Sequence, residues 1–324
     1  MVKAVLLNKA CDAQDLKLQD ISMPKLVNRQ VLVRNTYLGV NYTDIAQRSG
    51  AYKIDFPNVI GVEAVGVIEE MAPSVPNNLK VGQRVGYCTI PYGAYTEKRV
   101  INYEYLIPIP KEITDQQVVG YMFKALMANI LLFKVVVPNT VIPSLLFDAA
   151  SCTGVIISQI AKIYNIKLSG MVSNKSDVKI AKKNGCVEVF VMNGDVVKEI
   201  KETHPKGFLN IMDSVYSKET FSLSTQIIQD QGIYIMYDSL LSRNMKFDWR
   251  DIRKSSAYFV SPSFFNVYSD LVLLQTVVQD LFKLVIDGKV QVNILAEYLL
   301  NQVGKAHKFI EDKKDVGGSV IIKV

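Results

Sequence analysis

The stretch that most restricts how this 324-residue chain can fold runs from Thr140 to Asn165, TVIPSLLFDAASCTGVIISQIAKIYN. Val141 to Phe147 is almost wholly apolar, interrupted by Pro143, and reads as a strand buried on both faces. Small residues follow, Ala149-Ala150-Ser151-Cys152-Thr153-Gly154, and then Val155, Ile156, Ile160 and Ile163 recur at helical spacing. Strand, tight loop of small residues, helix is the opening of a dinucleotide-binding βαβ unit. Such a loop lets a pyrophosphate approach a helix N-terminus, where backbone N–H groups and the macrodipole favour anions. Only one glycine of the usual three stands here, Gly154, and an ordinary buried strand–helix turn would read the same way. The flanking chain has to decide.

The length exceeds one typical hydrophobic core, so two domains are expected. Hydrophobic residues at 49% and charged residues at 21% are ordinary for a globular protein. No apolar run reads as long enough to span a bilayer. The strongest candidate, Leu271 to Ile286, is broken by Gln275, Gln279, Asp280 and Lys283 and reads as an amphipathic helix. The opening MVKAVLLNKACD has too short an apolar core for a signal peptide and reads as a first strand, which leaves a cytoplasmic location as the default expectation. Cys11, Cys88, Cys152 and Cys186 are scattered without a CxxC pair, against a disulfide framework or a cysteine-rich zinc site. The two histidines, His204 and His307, fall in polar helical stretches, so Ser-His-Asp hydrolysis and histidine-ligated metal catalysis lack parts. The net charge of +6 is spread out; Lys175, Lys179, Lys182 and Lys183, the densest basic group, read as a solvated helix face, with no support for nucleic-acid binding.

Residues 1–120 carry strand patterns at Val2–Leu7, Gln30–Tyr37, Val65–Glu70, Arg84–Tyr87 and Ala94–Arg99, punctuated by glycines, and predict a β-rich, barrel-like domain. Gln116 to Leu132 predicts a long helix leading into a second domain. From there strands (Leu168–Val172, Val187–Val191, Phe208–Met212, Ile233–Tyr237, Ala257–Val260) alternate with helices (Val155–Tyr164, Asp177–Asn184, Asp195–His204, Lys218–Gln229). That alternation predicts a parallel, doubly wound sheet. One long helix is expected from Ser261 to Asp287. Short strands at Val290–Leu295 and Ser319–Val324 then flank a helix near Gly304–Asp312, and this β-rich end is expected to rejoin the first domain.

Several motifs in fixed order match a family. They are Gly39-Val40-Asn41; Arg48-Ser49-Gly50 with Tyr52; Gly61-Val62-Glu63 with Gly66; Gly82-Gln83-Arg84-Val85; Gly93-Ala94-Tyr95; Phe123-Lys124-Ala125-Leu126; the loop ending at Gly154; Asp213-Ser214-Val215; Tyr258 to Ser263; and Gly317-Gly318-Ser319-Val320-Ile321. With them the chain resembles, over essentially its whole length, the zinc-free quinone oxidoreductases of the medium-chain dehydrogenase/reductase superfamily. The resemblance implies an α/β protein with a GroES-like β-rich catalytic domain (1–122 and 261–324) and an inserted Rossmann domain with a doubly wound parallel sheet (123–260). It also implies NADPH as cofactor, a cleft active site, a homodimer and a quinone-like acceptor reduced by hydride transfer. Zinc-dependent cousins carry a cysteine where Asn41 stands and a histidine where Val62 stands, so zinc-independent chemistry is expected.

By the same resemblance Asn41 lies beside the nicotinamide and the acceptor carbonyl, where its amide could polarise the oxygen; an asparagine that only satisfies turn backbone is the competing reading. Arg48 and Tyr52 would line the acceptor side, or be surface residues at a helix end. Lys124, taken as the start of the helix bridging the domains, would face the nicotinamide ribose. Ser151, Cys152, Thr153, Gly154 and Val155 would hold the pyrophosphate, and Tyr237 would lie near the nicotinamide. After the second Rossmann strand an acidic residue would bind the ribose hydroxyls of NAD. Here Ser173-Asn174-Lys175-Ser176 stands instead, and with Lys179 it points to a 2′-phosphate, hence NADPH over NADH.

The departures from the family pattern gather on the cofactor side. Side chains at Cys152 or Thr153 could crowd a pyrophosphate, and Asp148 either repels it or caps the loop. Asp177 replaces a basic residue, Met192 a tyrosine, Ala46 an aromatic and Tyr237 a glycine. Two readings remain: a working reductase with altered cofactor contacts, or a fold-retaining relative with little NADPH affinity that serves as a binding or regulatory module. The persistence of Asn41, Lys124 and Gly154 favours the enzyme. A thiol at a helix N-terminus would also give Cys152 redox reactivity, although a small residue replacing glycine explains it as well.

Overall fold

The computed structural model describes residues 1–136, 144–237 and 248–324. The first part of the chain forms β1 (Val2–Leu7), β2 (Leu18–Ile21), β3 (Gln30–Gly39), α1 (Tyr42–Ser49), β4 (Asn58–Val59), β5 (Glu63–Met71), β6 (Arg84–Cys88), β7 (Lys98–Asn102), β8 (Ile107–Pro108) and α2 (Asp115–Asn129). The middle forms β9 (Ser144–Phe147), α3 (Cys152–Ile163), β10 (Leu168–Val172), α4 (Val178–Asn184), β11 (Glu188–Val191), α5 (Val196–Thr203), β12 (Phe208–Asp213), α6 (Lys218–Ile227), β13 (Ile228–Met236), α7 (Trp249–Arg253) and β14 (Tyr258–Val260). The last part forms α8 (Phe264–Val267), α9 (Leu271–Ile286), β15 (Ile294–Leu299), α10 (Val303–Glu311) and β16 (Ser319–Lys323). Two compact units result. One comprises Met1–Phe123, Tyr268–Asp315 and Ser319–Val324; the other comprises Lys124–Val267 and Val316–Gly318.

The first unit is β-rich. Its larger sheet runs β15-β16-β3-β5-β6-β8, with β7 also on β3, and a smaller sheet runs β2-β1-β4. Every pairing is antiparallel except β15 with β16. Alternation along β3 turns Val31 and Val33 to the core while Gln30, Leu32 and Arg34 are less buried. With Ile60, Ile68, Val85, Val320 and Ile322 they form one apolar cluster, in which each buried branched side chain contributes about 1.5–3 kcal/mol.

The second unit carries a six-stranded parallel sheet in the order β11-β10-β9-β12-β13-β14. Counted from β9, that is the 3-2-1-4-5-6 order of a dinucleotide-binding sheet, with the switch point between β9 and β12. β9 and β10 lie inside the sheet and are buried at every position, which explains why they are mostly apolar, with only Ser144, Ser169 and Gly170 among larger hydrophobic residues. Residues 141–143 of the predicted first strand lie outside the described residues.

Four expectations are corrected. Ala94–Arg99 is not one strand: Gly93 and Ala94 donate to the Gly61 carbonyl (3.0 and 3.1 Å) and Tyr95 to Ile60 (2.9 Å), so regular pairing begins only at Lys98. The long helix after Ser261 is two, because the Asp270 carboxylate accepts from Val272 and Leu273 N–H (2.9 and 3.1 Å) and starts α9 afresh. The strand read at Val290–Leu295 begins at Ile294, since the Lys289 and Val290 N–H groups close the end of α9 onto Leu284 (2.9 and 3.0 Å). Among the described residues one helical stretch, Asp115–Val135, is long and apolar enough to cross a membrane, but 78% of its most apolar part is buried within the protein, as in a core helix.

Candidate functional site

The carboxyl edge of the parallel sheet collects most of the residues singled out for a cofactor. Parallel register pairs Met171 with Phe147 and Met212 with Leu146, so the turns after β9, β10 and β12 leave the sheet at one level. After β9 the chain turns through Asp148, at φ 55°, and Ser151 N–H donates to the Asp148 carbonyl (2.9 Å). Ser151 is the N-cap of α3, its Oγ accepting from Gly154 N–H (3.1 Å). A Cβ at Gly154 would lie 2.4 Å from the Asp148 carbonyl oxygen and 2.8 Å from the Ala149 carbonyl carbon, so the turn closes this tightly only over glycine. Cys152 and Thr153 are 3% and 7% exposed, turned into the fold as packing residues with Val155. The turn is tied once more by the Gly317 N–H, which donates to the Ala150 carbonyl (2.7 Å).

Beyond β10, Ser173, Asn174, Lys175 and Ser176 are exposed, as is Lys179 in the first turn of α4. The nearest carboxylate, Asp177, is occupied locally by Asn174 Nδ2 (3.2 Å) and Ser176 Oγ (3.0 Å). Tyr237, at the end of β13, is 2% exposed and donates its N–H to the Asp213 carbonyl (3.0 Å). Asp213 itself is fully buried at the switch point. Its Oδ1 accepts from Val215 and Tyr216 N–H (2.8 and 2.9 Å) and its Oδ2 from the Tyr234 hydroxyl (2.6 Å). Burial and this carboxylate hold the Tyr234 hydroxyl well above its ordinary pKa. Tyr234→Phe is therefore expected to destabilise the second unit by about 1.5–3 kcal/mol, the worth of a hydrogen bond to a buried charge, measurable by urea unfolding.

In the first unit, Asn41 is the N-cap of α1 and 4% exposed. Its Nδ2 donates to Glu63 Oε2 (3.0 Å), and Glu63 Oε1 accepts from Phe123 N–H (2.9 Å). Because a carboxylate only accepts, this contact fixes which side of the Asn41 amide faces Glu63. Gly39 makes room for the arrangement: a Cβ there would lie 2.1 Å from Glu63 Oε2. Behind Asn41, fully buried Asp44 accepts from Asn41 N–H (2.8 Å), Val62 N–H (3.1 Å) and the Tyr95 hydroxyl (3.2 Å), and Tyr95 in turn meets His307 Nε2 (3.1 Å).

Arg48 is buried rather than superficial, at 3% exposure. It forks onto Glu311 and borders a cavity of 960 Å³ also lined by Asp12, Tyr298, Lys308 and Phe309. Tyr52 is half-buried, its ring edge-on to Tyr92 at 6.1 Å. Lys124 lies well inside α2 rather than at its start, is 1% exposed, and is assigned to the second unit. His307 is fully buried on the inner face of α10 with Val303, Ala306 and Ile310.

Glu63, Asp44, Tyr95, His307, Asp213 and Gly317 are the residues that sequence reasoning did not place in a site. Asn41-x-x-Asp44 has capping-box spacing, and His307 falls in register with the apolar residues of its helix, so two of them had a readable signal. Among the described residues no group of three or more His, Cys, Asp or Glu side chains is placed to hold a metal ion.

A GroES-like β-rich unit and a 3-2-1-4-5-6 parallel sheet with its loop glycine at the switch point together define a medium-chain dehydrogenase/reductase. Residues 27–111 match the alcohol dehydrogenase GroES-like domain and residues 152–272 the domain described as zinc-binding dehydrogenase. The chain is 27% identical over 298 residues to a quinone oxidoreductase of Pseudomonas aeruginosa, covering 91% of each. It is also 27% identical over 338 residues to a 2-haloacrylate reductase of Burkholderia, covering 99% of each. The Escherichia coli quinone oxidoreductase structure complexed with NADPH superposes with a TM-score of 0.93 at 24% identity, over 99% of this chain and 100% of that one. The two domain matches are those of that superfamily, and over its whole length the chain is similar to its quinone oxidoreductases.

Proposed function

We propose that this chain is an NADPH:quinone oxidoreductase that works without zinc. One observation carries the reading: the glycine-closed turn at the head of α3 shares a sheet edge with exposed Ser173, Asn174 and Lys175, where the nearest carboxylate is already occupied. That donor set suits a dinucleotide with a 2′-phosphate. The first turn of α3 offers N–H groups to the pyrophosphate, and the Ser173–Lys175 segment with Lys179 offers hydroxyl, amide and ammonium donors to the extra phosphate. The name of the P. aeruginosa relative and the NADPH complex of the E. coli enzyme agree with this reading.

Bound there, NADPH supplies a hydride donor, and the protein's part is alignment and shielding. A reduced quinone oxygen is a stabilised anion, so no strong acid is required. Asn41, oriented by Glu63, is the residue proposed to polarise the acceptor carbonyl, and Lys124 the one proposed to hold the cofactor ribose. Arg48 and Tyr52 are proposed to shape the acceptor side, and Tyr237 to lie near the nicotinamide. A homodimer in the cytoplasm completes the reading; β14, outermost in its sheet with Tyr258 62% exposed, is the edge proposed to pair.

Titration calorimetry tests the cofactor assignment. NADPH is expected to bind at least tenfold more tightly than NADH, and Lys175→Glu to remove most of that difference while leaving NADH affinity unchanged. Equal affinities, or a difference untouched by Lys175→Glu, would overturn it.

A further inference from the structure

Asp44 is completely buried, and its three hydrogen-bonding neighbours in the first unit are donors that suit an ionised carboxylate: Asn41 N–H and the Tyr95 hydroxyl on Oδ2, Val62 N–H on Oδ1. For Tyr95 to donate to Asp44, its oxygen takes the proton of His307 Nε2, 3.1 Å away. His307 Nδ1 is buried without a hydrogen-bond partner. The same heavy atoms admit a second proton arrangement. A protonated Asp44 donates to Tyr95, the Tyr95 hydroxyl turns to a bare Nε2, and the imidazole proton is stranded on Nδ1. A stranded buried N–H is rarer than a stranded acceptor, so the first arrangement is the better satisfied. Protonation would also take a lone pair from Oδ2, the atom that receives Asn41 N–H.

We propose that Asp44 is a positioning residue for Asn41 whose hold is switched by its own protonation, with Tyr95 and His307 directing the hydrogen-bond chain that keeps it ionised. The proposal rests on the reading of Asn41 as the acceptor-facing residue. The charged and titratable groups around this chain are Glu63 on β5, Tyr92 and Tyr95 on the segment before β7, Arg48 on α1 and His307 on α10. Burial, reinforced by the Glu63 charge, raises the Asp44 carboxyl to about 7 against the pull of its three donors, so the switch lies within the working pH range. Burial followed by the Arg48 charge keeps His307 neutral there, lowering it to about 3.

The test is the pH profile of kcat for NADPH-dependent reduction of a simple benzoquinone, with the backbone amide of Asn41 followed in ¹⁵N-asparagine protein and assigned by its loss in Asn41→Ser. Both are expected to titrate together near neutrality, kcat falling about tenfold per pH unit on the acid side. Tyr95→Phe, which removes a donor to the carboxylate, is expected to move both midpoints up by about one pH unit. Asp44→Asn should abolish the titration; where that variant fails to fold, Tyr95→Phe decides. Midpoints unmoved in Tyr95→Phe, or an Asn41 amide that does not titrate, overturn the proposal. An enzyme inactive at every pH whose Asn41 amide still titrates and shifts in Tyr95→Phe would sink the reductase reading and leave the switch standing.

Discussion

Gly154→Ala is expected to abolish tight NADPH binding and to destabilise the second unit by about 2–4 kcal/mol. The added methyl would meet backbone, not a side chain that can swing aside: the Asp148 carbonyl oxygen at 2.4 Å and the Ala149 carbonyl and α carbons at 2.8 and 2.9 Å. The turn has little slack to absorb it. Ala149 N–H is bonded to the Met171 carbonyl (3.1 Å), Ser151 N–H to the Asp148 carbonyl (2.9 Å), and the Ala150 carbonyl receives Gly317 N–H (2.7 Å). Relief requires the head of α3 to move off the sheet edge, and the N–H groups proposed to meet the pyrophosphate move with it. Ser151→Ala is the control. It removes the cap on Gly154 N–H but adds no bulk, and is expected to cost about 1 kcal/mol while retaining most of the affinity. Calorimetry and urea unfolding read both effects. Gly154→Ala binding NADPH within twofold of the parent chain would show that this turn is not the phosphate site.

The second large effect concerns stability against pH. The Asp44 carboxyl is raised from 3.8 to about 7. Between those values the unfolded chain has released a proton that the folded chain still holds. The contribution is therefore full below the unfolded pKa and lost as pH rises to about 7. His307 is lowered from 6.5 to about 3, so the unfolded chain takes up a proton that the folded chain refuses. Its contribution is full above 6.5 and lost as pH falls toward 3. The slopes oppose each other across the shared window, and the parent chain is expected to show little net dependence from this pair. Asp44→Asn should uncover stability rising with pH across that window; His307→Gln should uncover stability falling with pH. Each change is on the order of 4 kcal/mol in total. Urea unfolding at half-unit steps measures the slopes directly, whatever the starting stability of each variant. Parallel curves for the three proteins would show that these groups do not titrate as a buried pair.

The architecture was legible because burial on both faces leaves a plain mark. β9 and β10 read as mostly apolar runs, and the alternation of strands with helices pointed to a parallel sheet. Boundaries were less legible where hydrogen bonds to distant backbone override local propensity, as at Gly93–Tyr95 against Ile60–Gly61, or where a cap restarts a helix, as at Asp270. In the candidate site, the motif of glycine and small side chains marked the turn that closes over Gly154. The packing behind it was not legible. Periodicity cannot say that Cys152 and Thr153 turn inward, nor that Arg48 pairs with Glu311 far along the chain. The Asp44–Tyr95–His307 chain joins three separate sequence regions, and no local pattern announces such a meeting. The stretch around His307 is polar, as read, but only along the outer face of α10; His307 sits on the apolar one.

The placement of β16 and of Gly317 sets a timetable for synthesis. β16 is inserted between β15 and β3, its Ile321 opposite Gly39, so the sheet begun by the first residues stays open until the last strand arrives. Roughly 280 residues separate the two partners, on the order of half a minute of ribosome travel. Meanwhile the parallel sheet has all its strands, yet the turn at the head of α3 lacks the Gly317 tie. A nascent chain thus emerges with an unfinished β edge and an unbraced turn before α3, and both are completed by residues 316–323 almost together. Stalled or truncated chains lacking that short segment would carry two defects at once, an exposed strand open to aggregation and a loop unable to hold its shape.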